Sequence, residues 1–296
     1  MSTELNIPFY VEGAIYPSNS TPSVKDIIAG AQKSGFTTAI LGLYHIGRPE
    51  VPGQSYGDIV FNNTLIITNG EYVGDKTWPE MVNSMPAGDL TTVCASIGGG
   101  GVKDYATLMN IYNTNGNSFS GTALEKNFTV FKEVFPTISI IDMDCEETYD
   151  EPSFVAFCQM LIGIGFKITF CPYTYESFWV KSLQALETSH PGAVLWWNLQ
   201  CYDGGGNNNP ADWQHYITQG IPGFNTDKFI IAGDWTNRTP QQVTEHLSAF
   251  KGETCIGGGF IWTLDAIINA YPNDILAGMQ AYVNAIKEAF EISVSA

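Results

Sequence analysis

The stretch Ile138-Ser139-Ile140-Ile141-Asp142-Met143-Asp144-Cys145-Glu146 alternates acidic with apolar residues in its second half. Side chains two residues apart on a β-strand point to the same face and lie about 7 Å apart. Asp142, Asp144 and Glu146 are therefore predicted to face one way, and the apolar residues between them the other way. Buried carboxylates are costly unless they share protons or meet a ligand, so the pattern indicates an acidic site. The alternative is a strand that leaves the core, with its acids meeting solvent.

Similar β-rich runs recur along the whole chain, and amphipathic helical segments separate them. One helix start is readable at Thr239-Pro240-Gln241-Gln242, which offers an N-cap, a proline at the first helical position and a glutamine at the third. Eight strands that alternate with helices predict a single α/β domain over residues 1–296, a closed (β/α)8 TIM barrel. The predicted strands are Phe9–Gly13, Thr37–Tyr44, Thr91–Ile97, Ile138–Cys145, Lys167–Tyr173, Val194–Tyr202, Lys228–Asp234 and Ile256–Trp262.

The connections between strands refine this prediction. An open doubly wound sheet is the alternative, but Glu12-Gly13-Ala14-Ile15-Tyr16 after the first strand is not the glycine-rich phosphate loop of such folds. The turns Asn62-Asn63-Thr64 and Thr68-Asn69-Gly70 predict a small β-hairpin inserted after the second strand. Asp234 is followed almost at once by the Thr239 cap, so no α+β insertion is expected after the seventh strand.

The composition limits the classes of partner. Lys and Arg total 13 against 30 Asp and Glu, a formal net charge of −17. Such a chain repels nucleic acid and anionic lipid, whereas a neutral polysaccharide needs no complementary charge. The alternative meaning of the acidity is solubility alone. No apolar run reaches about 18 residues, so no membrane span is expected. Nothing in the sequence indicates an oligomeric state.

The cysteines and histidines predict neither a disulfide framework nor a metal site. Five of the six cysteines fall in or beside predicted strands and Cys158 falls in a predicted helix, which suits small buried side chains. No pair has zinc-ligand spacing and the four histidines do not cluster, so no metal or cofactor is expected. The N-terminal MSTELNIPFY lacks the regions of a secretory signal. Residence in the cell, release by another route and earlier removal of a leader all remain open.

Three short motifs lie at the predicted ends of other strands. Ser96-Ile97-Gly98-Gly99 ends the third strand, Gln200-Cys201-Tyr202-Asp203 ends the sixth, and Gly258-Gly259-Phe260-Ile261-Trp262 forms the eighth. The first alone is also typical of a turn, and the tyrosine and tryptophan alone are also typical of core packing. With the acids of the fourth strand, this ordered set resembles glycoside hydrolase family 18, which includes the chitinases. The resemblance covers the third to the eighth strand.

The resemblance implies substrate-assisted, retaining hydrolysis of β-1,4-linked N-acetylglucosamine (GlcNAc), without metal or cofactor. Glu146 would protonate the glycosidic oxygen, and the acetamido oxygen of the substrate would attack the anomeric carbon. Asp144 would hold the acetamido N–H and share a proton with Asp142. Tyr202 would hydrogen-bond the acetamido oxygen, and Trp262 would lie under the scissile sugar.

The remaining candidate residues are assigned to substrate binding. The missing insertion after the seventh strand predicts a shallow, open groove and endo-type cleavage of chitin or chitooligosaccharides. Packing is the alternative role for the three aromatic residues of the predicted groove wall. The motif residues are Gln200, Ser96, Gly98 and Gly99, and the groove wall is Tyr10, Trp235 and Tyr173.

The chain departs from the family motif at two positions. Ser139 replaces the first acid of the fourth-strand pattern and Ile140 replaces the glycine that follows it. In the family that acid supports the inner carboxylates, so we expect shifted pKa values for Asp142 and Asp144. The same departures leave open a non-catalytic, chitinase-like lectin. A second alternative is an endo-β-N-acetylglucosaminidase that cuts the chitobiose core of N-glycans with the same residues.

Overall fold

The computed structural model describes residues 5–18, 20–202 and 208–290, and its central feature is a parallel β-barrel. The strands of these residues are β1 (Pro8–Val11), β2 (Thr38–Ile46), β3 (Ile59–Phe61), β4 (Thr64–Thr68), β5 (Glu71–Tyr72), β6 (Thr92–Gly98), β7 (Ile138–Asp144), β8 (Lys167–Phe170), β9 (Val194–Leu199), β10 (Ile230–Trp235) and β11 (Ile256–Trp262). Eight of them, β1, β2 and β6 to β11, pair in parallel, and β1 bonds to both β2 and β11. The ring is therefore closed, which confirms the predicted (β/α)8 barrel.

Helices surround the barrel and connect its strands. They are α1 (Val24–Ala31), α2 (Trp78–Asn83), α3 (Asp104–Thr114), α4 (Ala123–Val134), α5 (Glu151–Ile164), α6 (Glu176–Ser189), α7 (Pro210–Gly220), α8 (Pro240–Leu247), α9 (Leu264–Ala270) and α10 (Ile275–Phe290). The predicted start of α8 is confirmed, because Thr239 and Gln242 form a reciprocal capping box. No helix within the described ranges is long and apolar enough to cross a membrane.

The predicted insertion after the second barrel strand is present and larger than a hairpin. β3 pairs antiparallel with β2, β4 with β3, and the short β5 with β4. These strands extend the sheet outside the ring. After the seventh barrel strand, only residues 236–239 separate β10 from α8, so the predicted absence of an α+β insertion is also confirmed.

Two predicted strands end three residues earlier than expected, at the face of the barrel that carries the acids. β8 ends at Phe170 and β9 at Leu199, so Tyr173 and Tyr202 lie in the loops that follow. The side-chain amide of Asn208 donates hydrogen bonds of 2.8 Å to the carbonyl oxygens of Tyr173 and Gln200. This amide satisfies carbonyls that a longer ladder would have paired, so the strands stop without leaving them unpaired.

Apolar side chains form one core outside the strands and a smaller one inside the barrel. Ile141, Met143 and Cys145 of the β7 segment belong to the outer core, between strands and helices. The inner cluster is Tyr10, Ile40, Cys94, Ile140, Cys171, Ile231 and Phe260. The acids of β7 alternate with the outer residues and therefore face the interior, as the sequence predicts.

All six cysteines are buried and unpaired. Cys94 lies in β6 and Cys158 in α5, while the others flank the ends of strands. Burial raises the pKa of each thiol, so the thiols stay neutral at ordinary pH and the side chains pack as small apolar groups. The expectation that the cysteines are packing residues is confirmed.

Candidate active site

The acids of β7 run from the barrel interior to its C-terminal face. Asp142 is fully buried, Asp144 is 4% exposed, and Glu146, just beyond the strand, is half-buried. The C-terminal face is where (β/α)8 barrels carry their reactive groups. The alternative of a strand that leaves the core is therefore wrong, because two of the three carboxylates are enclosed by the ring.

Asp142 accepts four hydrogen bonds inside the barrel. Its Oδ2 accepts from the Tyr10 hydroxyl at 2.9 Å and from the Ser96 hydroxyl at 2.8 Å. Its Oδ1 accepts from Thr169 Oγ1 at 2.7 Å and from Asn198 Nδ2 at 2.9 Å. Burial raises the pKa of Asp142, and these four donors oppose the increase. Protein hydroxyl and amide groups thus take the place of water around the buried carboxyl group of Asp142.

These contacts correct three expectations about the residues around Asp142. Tyr10 and Ser96, expected to contact substrate, are 1% and 0% exposed and lie beneath the site. Within the described residues Asp142 forms no hydrogen bond with Asp144, because four donors already occupy its oxygens. The expected proton sharing therefore has no direct hydrogen bond along which the proton could pass.

Ser139, which replaces the first acid of the family motif, does not contact the carboxylates. It is exposed, whereas its neighbours Ile138 and Ile140 are buried. The pairing of β7 with β6 shifts register between these two isoleucines, so Ser139 points outward there. Its replacement of the acid consequently removes nothing from the inner network, and the pKa shifts of Asp142 and Asp144 have other causes.

Gln200 joins Asp144 to Glu146. Its side-chain nitrogen donates to Asp144 Oδ1 at 3.2 Å and to Glu146 Oε1 at 3.1 Å. The Tyr202 hydroxyl donates to Gln200 Oε1 at 2.9 Å, which fixes the amide with its N–H groups toward the acids. The tyrosine expected to aim the acetamido group is therefore engaged with Gln200 in this structure.

The pKa values of both linked carboxyl groups are raised. For Asp144 the main cause is burial, followed by the charges of Glu146 and Asp142. For Glu146 the main cause is again burial, while the hydrogen bond from Gln200 lowers its pKa and the charge of Glu147 raises it. A carboxyl group with a raised pKa holds a proton closer to neutral pH, as a general acid must.

Gly98 and Gly99 let the end of β6 approach the acids closely. Gly98 has φ +118°, and a Cβ there would lie 2.0 Å from the carbonyl oxygen of Asp144. The Gly99 amide donates to that oxygen at 2.9 Å. Both glycines are buried. Their role in this structure is backbone contact with β7.

The remaining predicted aromatic residues lie around the mouth of the barrel. Tyr202, Trp235 and Trp262 are all half-buried. The rings of Tyr202 and Trp235 stack with centroids 5.5 Å apart at 10°, and Trp262 rests on Tyr10 at 5.4 Å. Tyr173 is half-buried in the loop after β8. Asp203, the last residue of the sixth-strand motif, lies outside the described residues.

The structure adds three residues that the sequence reasoning missed. Thr169 and Asn198 hold Asp142, and the Tyr149 hydroxyl donates to the backbone carbonyl of Glu146 at 2.8 Å. Thr169 and Asn198 are isolated polar residues in apolar runs, each one position before its strand ends, at Phe170 and Leu199. The two-residue period of a strand predicts that both side chains point inward, so the sequence did carry a signal for these two residues. Tyr149 lies in a loop and gave none.

In the part of the chain that the structure describes, no group of three or more His, Cys, Asp or Glu residues is arranged to hold a metal ion. The strongest concentration of carboxylates, on β7, is instead held by hydroxyl and amide donors. Tyr10, Ser96, Thr169 and Asn198 surround Asp142, and Gln200 serves the other two acids. What the arrangement offers chemically is therefore proton transfer and hydrogen bonding.

Comparison with solved structures places this site on a widely used fold. The chitinase Chi1 of the Yersinia entomophaga toxin complex matches with a TM-score of 0.59 and 13% identity, over 97% of this chain and 86% of that one. The Bacillus cereus spore cortex-lytic enzyme SleL matches with a TM-score of 0.56 and 11% identity, over 99% and 76%. A tryptophan synthase from M. tuberculosis matches with a TM-score of 0.51 and 7% identity, over 96% and 93%.

At these identities the similarity establishes the fold alone, because one barrel architecture hosts many unrelated chemistries. No protein-family model matches the chain, and no curated protein sequence matches it. The chain is a (β/α)8 barrel with a linked pair of carboxylates at its C-terminal face.

Proposed function

We propose that the protein is a glycoside hydrolase that cleaves β-1,4-linked GlcNAc by a substrate-assisted, retaining reaction. The observation that carries the proposal is the bridge from Gln200 to both Asp144 and Glu146. It holds two carboxylates of raised pKa side by side at the end of β7. The similarity to a chitinase and to a cortex-lytic enzyme agrees with this assignment without establishing it.

Glu146 is the proton donor in this proposal. It is the most accessible of the three acids and lies at the mouth of the barrel, where a glycosidic oxygen can reach it. Its raised pKa keeps a proton available to the leaving group. After that group departs, the carboxylate takes a proton from the water that attacks the anomeric carbon and displaces the acetamido oxygen. Tyr149 holds the backbone carbonyl of Glu146, which helps to fix the position of its side chain.

The nucleophile is the substrate's own acetamido oxygen. A protein nucleophile and a general acid must flank the glycosidic bond from opposite sides. Asp144 and Glu146 come from consecutive inward positions of one strand and share one donor, so they approach a sugar from the same side. The acetamido oxygen therefore makes the attack in place of a protein nucleophile, and Asp144 accepts the acetamido N–H and offsets the developing positive charge.

Gln200 and Tyr202 complete the scheme. When the acetamido group enters, the Tyr202 hydroxyl turns from Gln200 Oε1 to the acetamido oxygen. The stacking of Tyr202 on Trp235 holds the ring while its hydroxyl changes partner. Trp262, backed by Tyr10, offers the surface for the sugar ring. The short connection between β10 and α8 leaves the groove open on that side, which suits endo-type cleavage.

The test compares chitotetraose with cellotetraose and with fully deacetylated chitotetraose. We expect cleavage of chitotetraose alone, with the β-anomer as the first product detected by NMR. Cleavage of the two controls would show that no acetamido group is needed and would refute the substrate-assisted reaction. Cleavage of a high-mannose glycoprotein, with chitotetraose left intact, would move the substrate to N-glycan cores.

A further inference from the structure

A pocket of ≈ 310 Å³ lies beside the catalytic acids, where the insertion after β2 meets the loop between β6 and α3. Most of the side chains around it are polar. Side-chain amides come from the insertion. One cationic side chain comes from the insertion and the other from the loop between β6 and α3. The polar lining residues that matter here are His45, Arg48, Gln54, Asn62, Asn63 and Lys103.

The charge of this pocket is opposite to that of the protein. The chain has only 13 Lys and Arg against 30 Asp and Glu, yet Arg48 and Lys103 face the same pocket. Across the described ranges, the ion pairs are His45 with Asp104 and Asp234 with Arg238 and His246. Neither Arg48 nor Lys103 takes part in one. Two cations without a carboxylate partner therefore converge on one cavity.

The one carboxylate that lines the pocket is already in use. Asp104 is 3% exposed; its Oδ2 lies 2.8 Å from His45 Nδ1 and its Oδ1 accepts from the Ile46 amide at 2.7 Å. These contacts tie the start of α3 to the end of β2 and make a fixed wall. Because Asp104 is committed there, Arg48 and Lys103 are left to attract an external anion.

The pocket is separated from the catalytic acid by a single loop. A Cβ on Gly100 would lie 2.8 Å from Glu146 Oε2, and the next residue, Gly101, lines the pocket. Neighbouring Cα atoms are about 3.8 Å apart, so the pocket begins one residue from the loop's contact with the acid. The Gly101 amide also donates to Glu147 at 2.7 Å, which fixes the loop. Only this loop therefore separates a sugar at Glu146 from the pocket.

We propose that this pocket binds an oxyanion carried by the glycan, such as a carboxylate substituent on a sugar next to the scissile bond. The natural substrate class is then an anionic, GlcNAc-containing chain. This inference rests on the hydrolase function proposed above. Arg48 supplies paired N–H donors for the oxyanion, Lys103 adds a point charge, and the amides of the insertion complete the shell.

The test measures binding of glycans to the Glu146→Gln protein by calorimetry at low salt. The probes are a GlcNAc–N-acetylmuramic acid tetramer, which carries lactyl carboxylates, the same tetramer with these carboxylates reduced to alcohols, and a sulfated chitotetraose. We expect about tenfold tighter binding of an anionic probe than of the reduced tetramer, which is the scale of one charged hydrogen bond. The tighter of the two anionic probes identifies the substituent.

Two double variants in that background have the same change in charge. Arg48→Gln with Lys103→Gln should abolish the preference, whereas Lys33→Gln with Lys251→Gln, both exposed and outside the pocket, should keep it. Equal binding of all probes, or a preference that survives the Arg48 and Lys103 changes, would overturn the proposal. Cleavage of chitotetraose by the unmodified protein, with no anion preference in binding, refutes the pocket alone. An anion preference in binding, with no cleavage of any of these glycans by the unmodified protein, refutes the hydrolase alone.

Discussion

The side-chain nitrogen of Gln200 lies 3.1 Å from Glu146 Oε1 and donates a hydrogen bond to it. The same nitrogen reaches Asp144, so one neutral amide serves two acids that repel each other. A cation there would hold both groups ionised, whereas an amide stabilises the pair without fixing its charge. The pair can therefore keep a proton for transfer, and its two carboxyl groups titrate as one system.

Replacement of Gln200 by alanine should move the pH profile of hydrolysis. The hydrogen bond from Gln200 lowers the pKa of Glu146, so its loss raises that pKa further. Because Glu146 acts as an acid, activity is lost as pH rises through its pKa, and the alkaline limb of kcat/KM should move to higher pH. We also expect kcat/KM to fall by about tenfold or more.

The matched control for that change is Gln214→Ala. The Gln214 amide in α7 bonds Thr226 and Thr254, away from the acids. Its removal should leave the pH profile in place. An alkaline limb of Gln200→Ala that stays fixed or moves to lower pH would contradict the assigned role of the amide.

Asp144→Asn should make the protein more stable at neutral pH. Burial and the neighbouring charges raise the pKa of Asp144 in the folded state above its unfolded value. The stability contributed by such a carboxyl group is complete below the unfolded pKa of about 3.9 and is lost as pH rises through the folded pKa. Because asparagine does not ionise, the Asp144→Asn variant does not lose stability in this way as pH rises.

Urea unfolding measures this effect directly. At pH 8 the free energy of unfolding of Asp144→Asn should exceed that of the unmodified protein by about 0.5–2 kcal/mol, and near pH 4 the difference should vanish. The control is Asp227→Asn, the same chemical change at an exposed aspartate outside the barrel. A less stable Asp144→Asn protein at pH 8 would mean that the carboxylate is favourably solvated in place.

Gly98→Ala should destabilise the fold because β6 and β7 touch at that point. The residue has φ +118°, and the added Cβ would meet the Asp144 carbonyl oxygen at 2.0 Å. We expect a loss of about 2–4 kcal/mol in the free energy of unfolding. Gly163 in α5 has nothing within 4 Å of such a Cβ, so Gly163→Ala should stabilise the protein by about 0.5–1 kcal/mol. If Gly98→Ala and Gly163→Ala changed the free energy of unfolding in the same direction and by a similar amount, the close contact of β6 with β7 at Gly98 would be contradicted.

Trp262→Ala should weaken sugar binding. Trp262 is half-buried at the mouth, and its ring packs against that of Tyr10 in a tilted arrangement, which holds it in place. In the Glu146→Gln protein we expect about tenfold weaker binding of chitotetraose, measured by calorimetry. Tyr216→Ala, at an aromatic residue of α7 that is 41% exposed, should bind as before. Undiminished binding by Trp262→Ala would show that the sugar lies elsewhere.

The barrel and the direction of its acids were predictable because strands that are buried on both faces leave a strong local pattern. In the segment 138–145 the acids Asp142 and Asp144 alternate with apolar residues, and the segment 256–262 contains only apolar residues and glycine. The exact strand ends were not predictable. Near Tyr173 and Gln200 they depend on Asn208, which lies in a later segment of the chain and donates to the carbonyl oxygens of both residues.

The candidate site was predictable where neighbours share one strand and not where partners come from several strands. The positions of Asp142, Asp144 and Glu146 followed from a two-residue period. Ser96 contacts Asp142 as its partner on the neighbouring strand β6, and Tyr10 reaches Asp142 from β1, which does not pair with β7. Both contacts depend on how the strands are placed in the ring, which no local pattern records. For the same reason their burial beneath the site was missed.

Hydrolysis of chitotetraose by the unmodified protein and by Glu146→Gln, followed by mass spectrometry between about pH 4 and about pH 8, tests the central claim most directly. The account predicts cleavage by the unmodified protein and a rate at least about 10²-fold lower in the variant, because the variant cannot donate the proton. Equal cleavage by both proteins would refute the role of Glu146. No cleavage of chitotetraose or of a high-mannose glycoprotein by either one would contradict the hydrolase itself.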